Sequence, residues 1–334
     1  MTASVRDVAE AAGVSVGTVS NVLNAPDKVS EATAQRVHAA IERLGFVRND
    51  AARQLRAGRS RAIGMVVLDL RNPFFTDVAR GAEDRAAERG LSVFLANSDE
   101  RAEREQSALE LFEQQRVSGV LVTPIAEDLP VLRRMRDRGT PVVLVDRESQ
   151  QSHFPSVAVD DVEGGRMAAE HLLAIGRRKL GLVGGPTTLR QVTDRLDGAQ
   201  QAVAAVADAT LEFIGTAALT VDEGRAAGRR IAQRAPAQRP DAIFAANDLV
   251  ALGLLQGFVM AGAVRVPDDI ALIGYDDIDF AAAAVVPLSS VRQPARLIGS
   301  TAVDLLSAAS DGGAAREQVL FRPELVVRAS TVSV

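Results

Sequence analysis

Polar residues capable of holding a small molecule stand directly behind apolar runs at several points of this chain. Asp69 and Asn72 follow Ile63–Leu68, Asp146 and Arg147 follow Pro141–Val145, Asn247 and Asp248 follow Ala242–Ala245, and Asp276 and Asp277 follow Ile270–Ile273. A fifth polar stretch, residues 187–194, follows Leu180–Val183. Carboxylates accept hydrogen bonds, guanidinium groups donate them in a fixed fork, and side-chain amides do both, which is a donor set for hydroxyl-rich or carboxylate-bearing ligands. A different chemistry is concentrated near the amino end. Arg48, Arg53, Arg56, Arg59 and Arg61 face only Asp50, a cationic stripe suited to backbone phosphates. Catalytic and metal chemistry find no support. There is no Cys, the three His (His38, His153, His171) are scattered, and no Ser-His-Asp grouping or phosphate-loop spacing occurs.

The elements that must position these residues fall into two runs. From Ala62 onward, short apolar segments near 63–68, 91–95, 119–122 and 141–145 alternate with amphipathic stretches near 74–89, 101–115 and 128–138. The same alternation repeats, with strands near 180–183, 211–214, 242–245 and 270–273 and helices near 162–175, 193–206, 222–234 and 247–261. Strands that are apolar throughout are buried on both faces, so each run predicts a parallel sheet wrapped by helices, hence two lobes of an α/β fold. Ligands of such sheets bind beyond the carboxyl ends of the strands, where the polar pairs lie. Any one of these residues taken alone reads as a helix cap; five such loops in two facing lobes favour a cleft site.

The first 61 residues are built differently. Ser4, Ser15 and Ser30 each precede a short helical pattern and can accept a bond from a backbone N–H about three residues on. Gly13 supplies a tight turn between the first two patterns, so Asp7–Ser20 reads as a helix-turn-helix unit whose second helix enters the major groove. This segment carries nine Lys or Arg against six Asp or Glu, a net of +3, whereas the whole 334-residue chain carries −5. The amino terminus lacks a signal-peptide pattern and no apolar run approaches the roughly 18 residues of a spanning helix, which predicts a cytoplasmic protein without membrane association.

The order and spacing of Arg6-Asp7-Val8-Ala9, Gly13-Val14-Ser15, Thr18-Val19-Ser20, Val22-Leu23-Asn24, Asn72-Pro73-Phe74-Phe75, Val145-Asp146-Arg147, Ala245-Ala246-Asn247-Asp248, Gly274-Tyr275-Asp276-Asp277 and Val291-Arg292-Gln293-Pro294 resemble the lactose-repressor family (LacI/GalR type) of bacterial transcription regulators from end to end. The resemblance implies a helix-turn-helix head at 1–48, a hinge helix and linker at 49–61, and an effector-binding core at 62–334 like periplasmic sugar-binding proteins. It places chain crossings near Asp160, Ser289 and Arg322, with an N-lobe of about 62–160 and 290–321 and a C-lobe of about 161–289 and 322–334.

By the same resemblance, Val16, Gly17 and Asn21 face base edges, Thr18 and Ser20 contact phosphates, and Asn49, Ala52 and Leu55 belong to a hinge whose leucine wedges into the minor groove. Gly17 offers no side chain, and Asn21 stands where the family often has Arg, which departs from guanine reading. The effector residues implied are Arg195, Asn247 and Asp276, with Phe74, Asp146 and Arg147 lining the cleft; Arg190 and Gln191 in the preceding loop join them as specificity residues. An Arg195–Asp276 ion pair that merely ties loops together is the alternative. The implied function is a non-enzymatic repressor that needs no cofactor, binds double-stranded operator DNA as a homodimer, and answers to a sugar or sugar derivative. A transport-linked sugar-binding protein would share the core, but that class carries an export signal in place of the head.

Overall fold

The computed structural model describes residues 3–46, 60–126, 129–148, 154–262, 264–310 and 317–332. The chain divides into two compact units, Met1–Arg59 and Ser60–Val334. In the first, helices α1 (Val5–Ala12), α2 (Val16–Asn24) and α3 (Glu31–Leu44) enclose a small core of Val8, Ala12, Val19, Val22, Val37 and Ala40. Ser4 and Asp7 form a reciprocal capping box at the start of α1, and Gly13 ends it in the left-handed region at φ 64°. Ser15 accepts from the Thr18 N–H at 3.1 Å. The third expected cap is different: the Ser30 hydroxyl bonds the Thr33 hydroxyl at 3.0 Å and caps no backbone N–H.

The larger unit holds two six-stranded sheets. The first runs β11-β5-β4-β3-β1-β2, made of β1 (Ala62–Val67), β2 (Ser92–Asn97), β3 (Val120–Val122), β4 (Val142–Val145), β5 (Ser156–Val159) and β11 (Gln318–Phe321), all parallel. The second repeats the pattern as β12-β10-β9-β8-β6-β7, from β6 (Lys179–Gly184), β7 (Thr210–Gly215), β8 (Ala242–Ala245), β9 (Ala271–Asp276), β10 (Ser289–Arg292) and β12 (Glu324–Val326). Only β12 is antiparallel to its neighbour among the described pairs. Central strands β1, β3, β4 and β8 are buried at every residue, as the continuous apolar runs require.

Two boundaries differ from the sequence reading. Strand β10 pairs with β9, so residues 289–292 lie in the second lobe and the chain crosses after Arg292 instead of at Ser289. Helix α8 (Arg190–Ala204; the helices between are α4 Pro73–Glu88, α5 Ala102–Gln114, α6 Pro130–Asp137 and α7 Asp161–Ala174) starts three residues earlier than its apolar periodicity suggests. Arg190 and Gln191 therefore sit in a helical first turn and not in a loop.

Candidate functional site

Helix α2 turns Val19 and Val22 into the core of the first unit and leaves Val16, Gly17 and Asn21 exposed on the other side. A helix with a 3.6-residue period and this spacing offers one continuous outer face. Thr18 and Ser20 are half-buried. The Thr18 hydroxyl shares a hydrogen bond with Ser15 at 2.9 Å, and the Asn24 amide donates to Ser20 O at 2.7 Å. Gly17 is not demanded by the backbone: a Cβ there would meet only Ser15 Oγ, at 3.6 Å. Asn49, Ala52 and Leu55 lie outside the described residues.

In the larger unit a cavity of about 430 Å³, open mouth included, lies at the carboxyl ends of both sheets. Phe74, Asp146, Arg195, Asn247 and Asp276 all line it. Arg147 does not: its guanidinium donates to Ala126 O at 2.6 Å and to Pro124 O at 3.3 Å, bracing a neighbouring loop. Gln191 lines the cavity, whereas Arg190 is engaged with Asp194 at 2.8 Å.

Arg195 is 3% exposed and is held on three sides. Its Nε donates to Asp161 Oδ1 at 2.7 Å, its Nη1 donates to Ala246 O at 2.6 Å, and its guanidinium lies 3.6 Å from the centre of the Tyr275 ring. Burial works against its charge, but Asp161 and the neighbouring acids outweigh that and raise its pKa, so it stays a cation. The glycine pair of α7 makes this packing possible. A Cβ on Gly165 would fall 2.1 Å from Arg195 O, and one on Gly164 would fall 2.1 Å from the Tyr275 hydroxyl. The partner of Arg195 is thus Asp161, and the expected alternative of an Arg195–Asp276 ion pair is not formed.

Asp276 ends β9 with φ 100° and accepts from two side-chain amides, Asn72 Nδ2 and Gln293 Nε2, both at 2.8 Å. Burial pushes its carboxyl up to about 6, against the pull of Arg195 and the two amides. Its neighbour Asp277 faces away and takes Arg328 at 2.6 Å and Arg292 at 2.8 Å. Asp248, fully buried, fixes this turn by accepting from the Ile278 N–H at 2.9 Å and the Ser290 hydroxyl at 2.8 Å. Asn247 caps helix α10 (Asp248–Ala261), which follows α9 (Val221–Gln233), through the Val250 N–H at 2.9 Å. It acts as both a cap and a lining group.

On the opposite wall Asp146 follows β4 with φ 56°. Gln191 Nε2 donates to its Oδ2 at 2.8 Å, and its Oδ1 is buried with no hydrogen-bond partner. Burial and the charge of Asp161 push its carboxyl up to about 8. Two residue pairs therefore bond from one lobe to the other at the cavity, Asn72 with Asp276 and Gln191 with both the carboxyl and the backbone carbonyl of Asp146.

Several functional residues escaped the sequence reading. Asp161 stands beside Asp160, which caps α7 by accepting from the Glu163 N–H at 2.8 Å, and nothing in the sequence singles Asp161 out. Gln293 and Tyr275 lay within matched segments and carried no chemical signal of their own. Among the described residues no cluster of His, Asp or Glu could hold a metal, and no helix is long and apolar enough to cross a membrane.

Comparison with known proteins places this architecture. Residues 4–49 match the bacterial regulatory proteins of the lacI family, and residues 169–331 match the periplasmic binding protein-like domain. The chain is 36% identical over 304 residues, 91% of its length and 90% of the relative's, to the ribose operon repressor of Bacillus subtilis (strain 168). The chain belongs to the lacI family of regulatory proteins. As a family member it is a DNA-binding transcriptional regulator with an effector-binding core, and not an enzyme. Its fold is similar to a crystal structure of the lac repressor dimer bound to operator and the anti-inducer ONPF, with a TM-score of 0.86, 28% identity and full coverage of both chains. It is also similar to a complex of the transcriptional regulator CelR with cellobiose, with a TM-score of 0.72, 31% identity and coverage of 98% of this chain and 99% of that one.

Proposed function

We propose that this regulator is a cytoplasmic homodimeric repressor that reads a two-fold symmetric operator and is switched by a sugar or sugar derivative bound between its core lobes. The reading divides the chain into a head at 1–48, a hinge at 49–61 and the effector-binding core beyond. Val16, Gly17 and Asn21 meet base edges and Thr18 and Ser20 meet phosphates, in keeping with the exposed outer face of α2. Asn49, Ala52 and Leu55 complete the DNA contacts from the hinge. Two such heads double the readout of one short helix, which by itself spans too few bases.

The observation that carries the effector assignment is the cavity itself. Polar groups from both lobes converge on it, and a buried carboxylate oxygen, Asp146 Oδ1, is left without a partner. Buried polar atoms are nearly always satisfied, so an orphan oxygen in a cavity wall invites a donor from a ligand. Arg195, Asn247 and Asp276 hold the effector from the C-lobe, with Phe74 and Asp146 on the other side. An effector that exchanges its hydroxyls for the cross-cleft bonds of Asn72 and Gln191 changes how the lobes meet, and it biases DNA affinity only through that difference between states. The lac repressor relative binds operator as a dimer and the CelR relative binds cellobiose, which support both halves of the reading.

A thermal-shift screen of neutral sugars, sugar phosphates and nucleosides tests the effector half, because a ligand of the folded state alone raises Tm by mass action. Selection from random DNA tests the other half, with an inverted repeat expected. Affinity unchanged in both Arg195→Ala and Asp276→Ala, with folding intact, removes the cleft as the site.

A further inference from the structure

The first lobe contributes a carboxyl to the cavity that the reading above does not use. Glu100 lies just past β2 and lines the cavity together with Asp69 and Asp146. Its position is imposed by the backbone. Asp99 and Glu100 are consecutive non-glycine residues in the left-handed region, at φ 53° and 56°. The Glu100 N–H donates to Leu68 O at 3.2 Å, tying this turn to the end of β1. Arg71 adds a clamp from the other side, with Nε 2.9 Å from Asp69 Oδ1 and Nη2 2.9 Å from Asp99 Oδ1. Two strained residues in succession persist only where the surroundings over-determine them, and such strain gathers at ligand sites.

The clamp satisfies Asp69 and Asp99 but leaves Glu100 out. Among the described residues no donor bonds the Glu100 carboxyl, and Asp146 Oδ1 is unpartnered in the same cavity wall. The charge of the cavity points the same way. Asp69, Glu100, Asp146 and Asp276 line it with one lining cation, Arg195; Asp161 pairs that cation and Arg71 pairs Asp69, which leaves Glu100, Asp146 and Asp276 without an ion-pair partner among the described residues. Burial first, and then the charges of Asp69 and Asp99, push the Glu100 carboxyl up to about 7 against the pull of Arg71.

We infer that Glu100 is a specificity-determining residue of the cleft, accepting a hydrogen bond from a hydroxyl or ammonium group of the effector and turning away ligands that carry a phosphate or carboxylate. This rests on the cleft being the effector site. A neutral polyol gives its hydroxyl protons to Glu100 and to Asp146 Oδ1. A phosphate ester replaces one hydroxyl donor by a group with about two negative charges at pH 7.5 and no donor of its own, and a like-charge juxtaposition of this kind rejects the wrong ligand.

Calorimetric titration at pH 7.5 with the matched pairs D-ribose and D-ribose 5-phosphate, and D-glucose and D-glucose 6-phosphate, tests the inference on the full chain. The neutral member of a pair is expected to bind at least about tenfold more tightly than its ester, which is about 1.4 kcal/mol. Glu100→Gln, which keeps shape and removes charge, is expected to narrow that ratio several-fold by improving affinity for the ester. Glu100→Gly removes the side chain and also relieves the left-handed backbone, so it keeps the test open should the amide disturb the turn. An ester that binds as tightly as its parent overturns the inference. So does a ratio unchanged in both variants while Asn247→Ala weakens both members of the pair. Neutral-sugar affinity unchanged in Asn247→Ala and Arg195→Ala overturns the cleft assignment beneath it.

Discussion

Strands β4 and β9 occupy the same place in their two sheets, third from the end, and each runs into an aspartate with left-handed backbone at the cavity. The lobes treat that aspartate differently. Asp276 has a donor on each oxygen and a guanidinium near by, and its carboxyl is pushed up only to about 6. Asp146 feels the same Arg195 and Asp161 but has one amide and an unpartnered oxygen, and rises to about 8. One fold repeated twice thus produces a rigid, satisfied wall and an unsatisfied one. Topology decides where the carboxylates stand, and the donors sent across the cleft decide what each can still do.

The sharpest way to break this contrast is to remove the cation behind the satisfied wall. Arg195→Ala leaves Asp161 buried without its partner, and breaking one member of a buried pair costs about 3–5 kcal/mol. Urea denaturation of the core reads the loss directly. A loss below about 1 kcal/mol means that Asp161 is relaxed by water and that the C-lobe wall is not organised by this pair.

Asp276→Asn is the next test, with an expected loss of about 1–3 kcal/mol in the same experiment. The two carboxylate oxygens face amide donors from Asn72 and Gln293, so an asparagine must turn its own NH₂ toward one of them. Equal losses from Asp276→Asn and Asp146→Asn erase the distinction between the walls.

Much of this arrangement was legible in the sequence, for reasons that also explain the omissions. Strands buried on both faces announce themselves as apolar runs, so β1, β3, β4 and β8 were found within about a residue of their ends. Strands β5, β10 and β11 are four residues each, and β11 is only partly buried, so no run of length or contrast marks them. Among the candidate site residues, Asp146, Asn247 and Asp276 followed from their place behind strands, and Arg195 from the family resemblance. Arg147 stood in an equally promising place, yet its long side chain reaches two backbone carbonyls outside the cavity. Glu100 was hidden in Ser98-Asp99-Glu100-Arg101, which reads as a solvated charge run. Only the turn at Asp99 and Glu100, invisible without backbone angles, brings it to the cavity.

The test most specific to the unsatisfied wall is the dependence of stability on pH. A carboxyl whose pKa is higher in the folded than in the unfolded state binds more protons when folded, so folding stability falls as pH rises through the window between the two values. For Asp146 that window runs from its ordinary 3.8 to about 8; its contribution is fully present below the lower value and is lost as pH rises through the upper one. Asp276 adds the same sign over the narrower window up to about 6. Asp146→Asn carries no charge at any pH, and at pH 5, where the native carboxyl is still protonated, it is expected to lie within about 1 kcal/mol of the parent, as a near-isosteric change does. As pH rises through the window the parent loses this contribution and the variant does not, so the variant becomes the more stable of the two and the gap levels off above about pH 8. Thermal unfolding of the empty protein at pH 5, 7 and 9 follows the difference. A gap between parent and variant that stays constant with pH means that Asp146 ionises in the fold as easily as in the unfolded chain, in which case its orphan oxygen is served by water and the two walls are electrostatically alike.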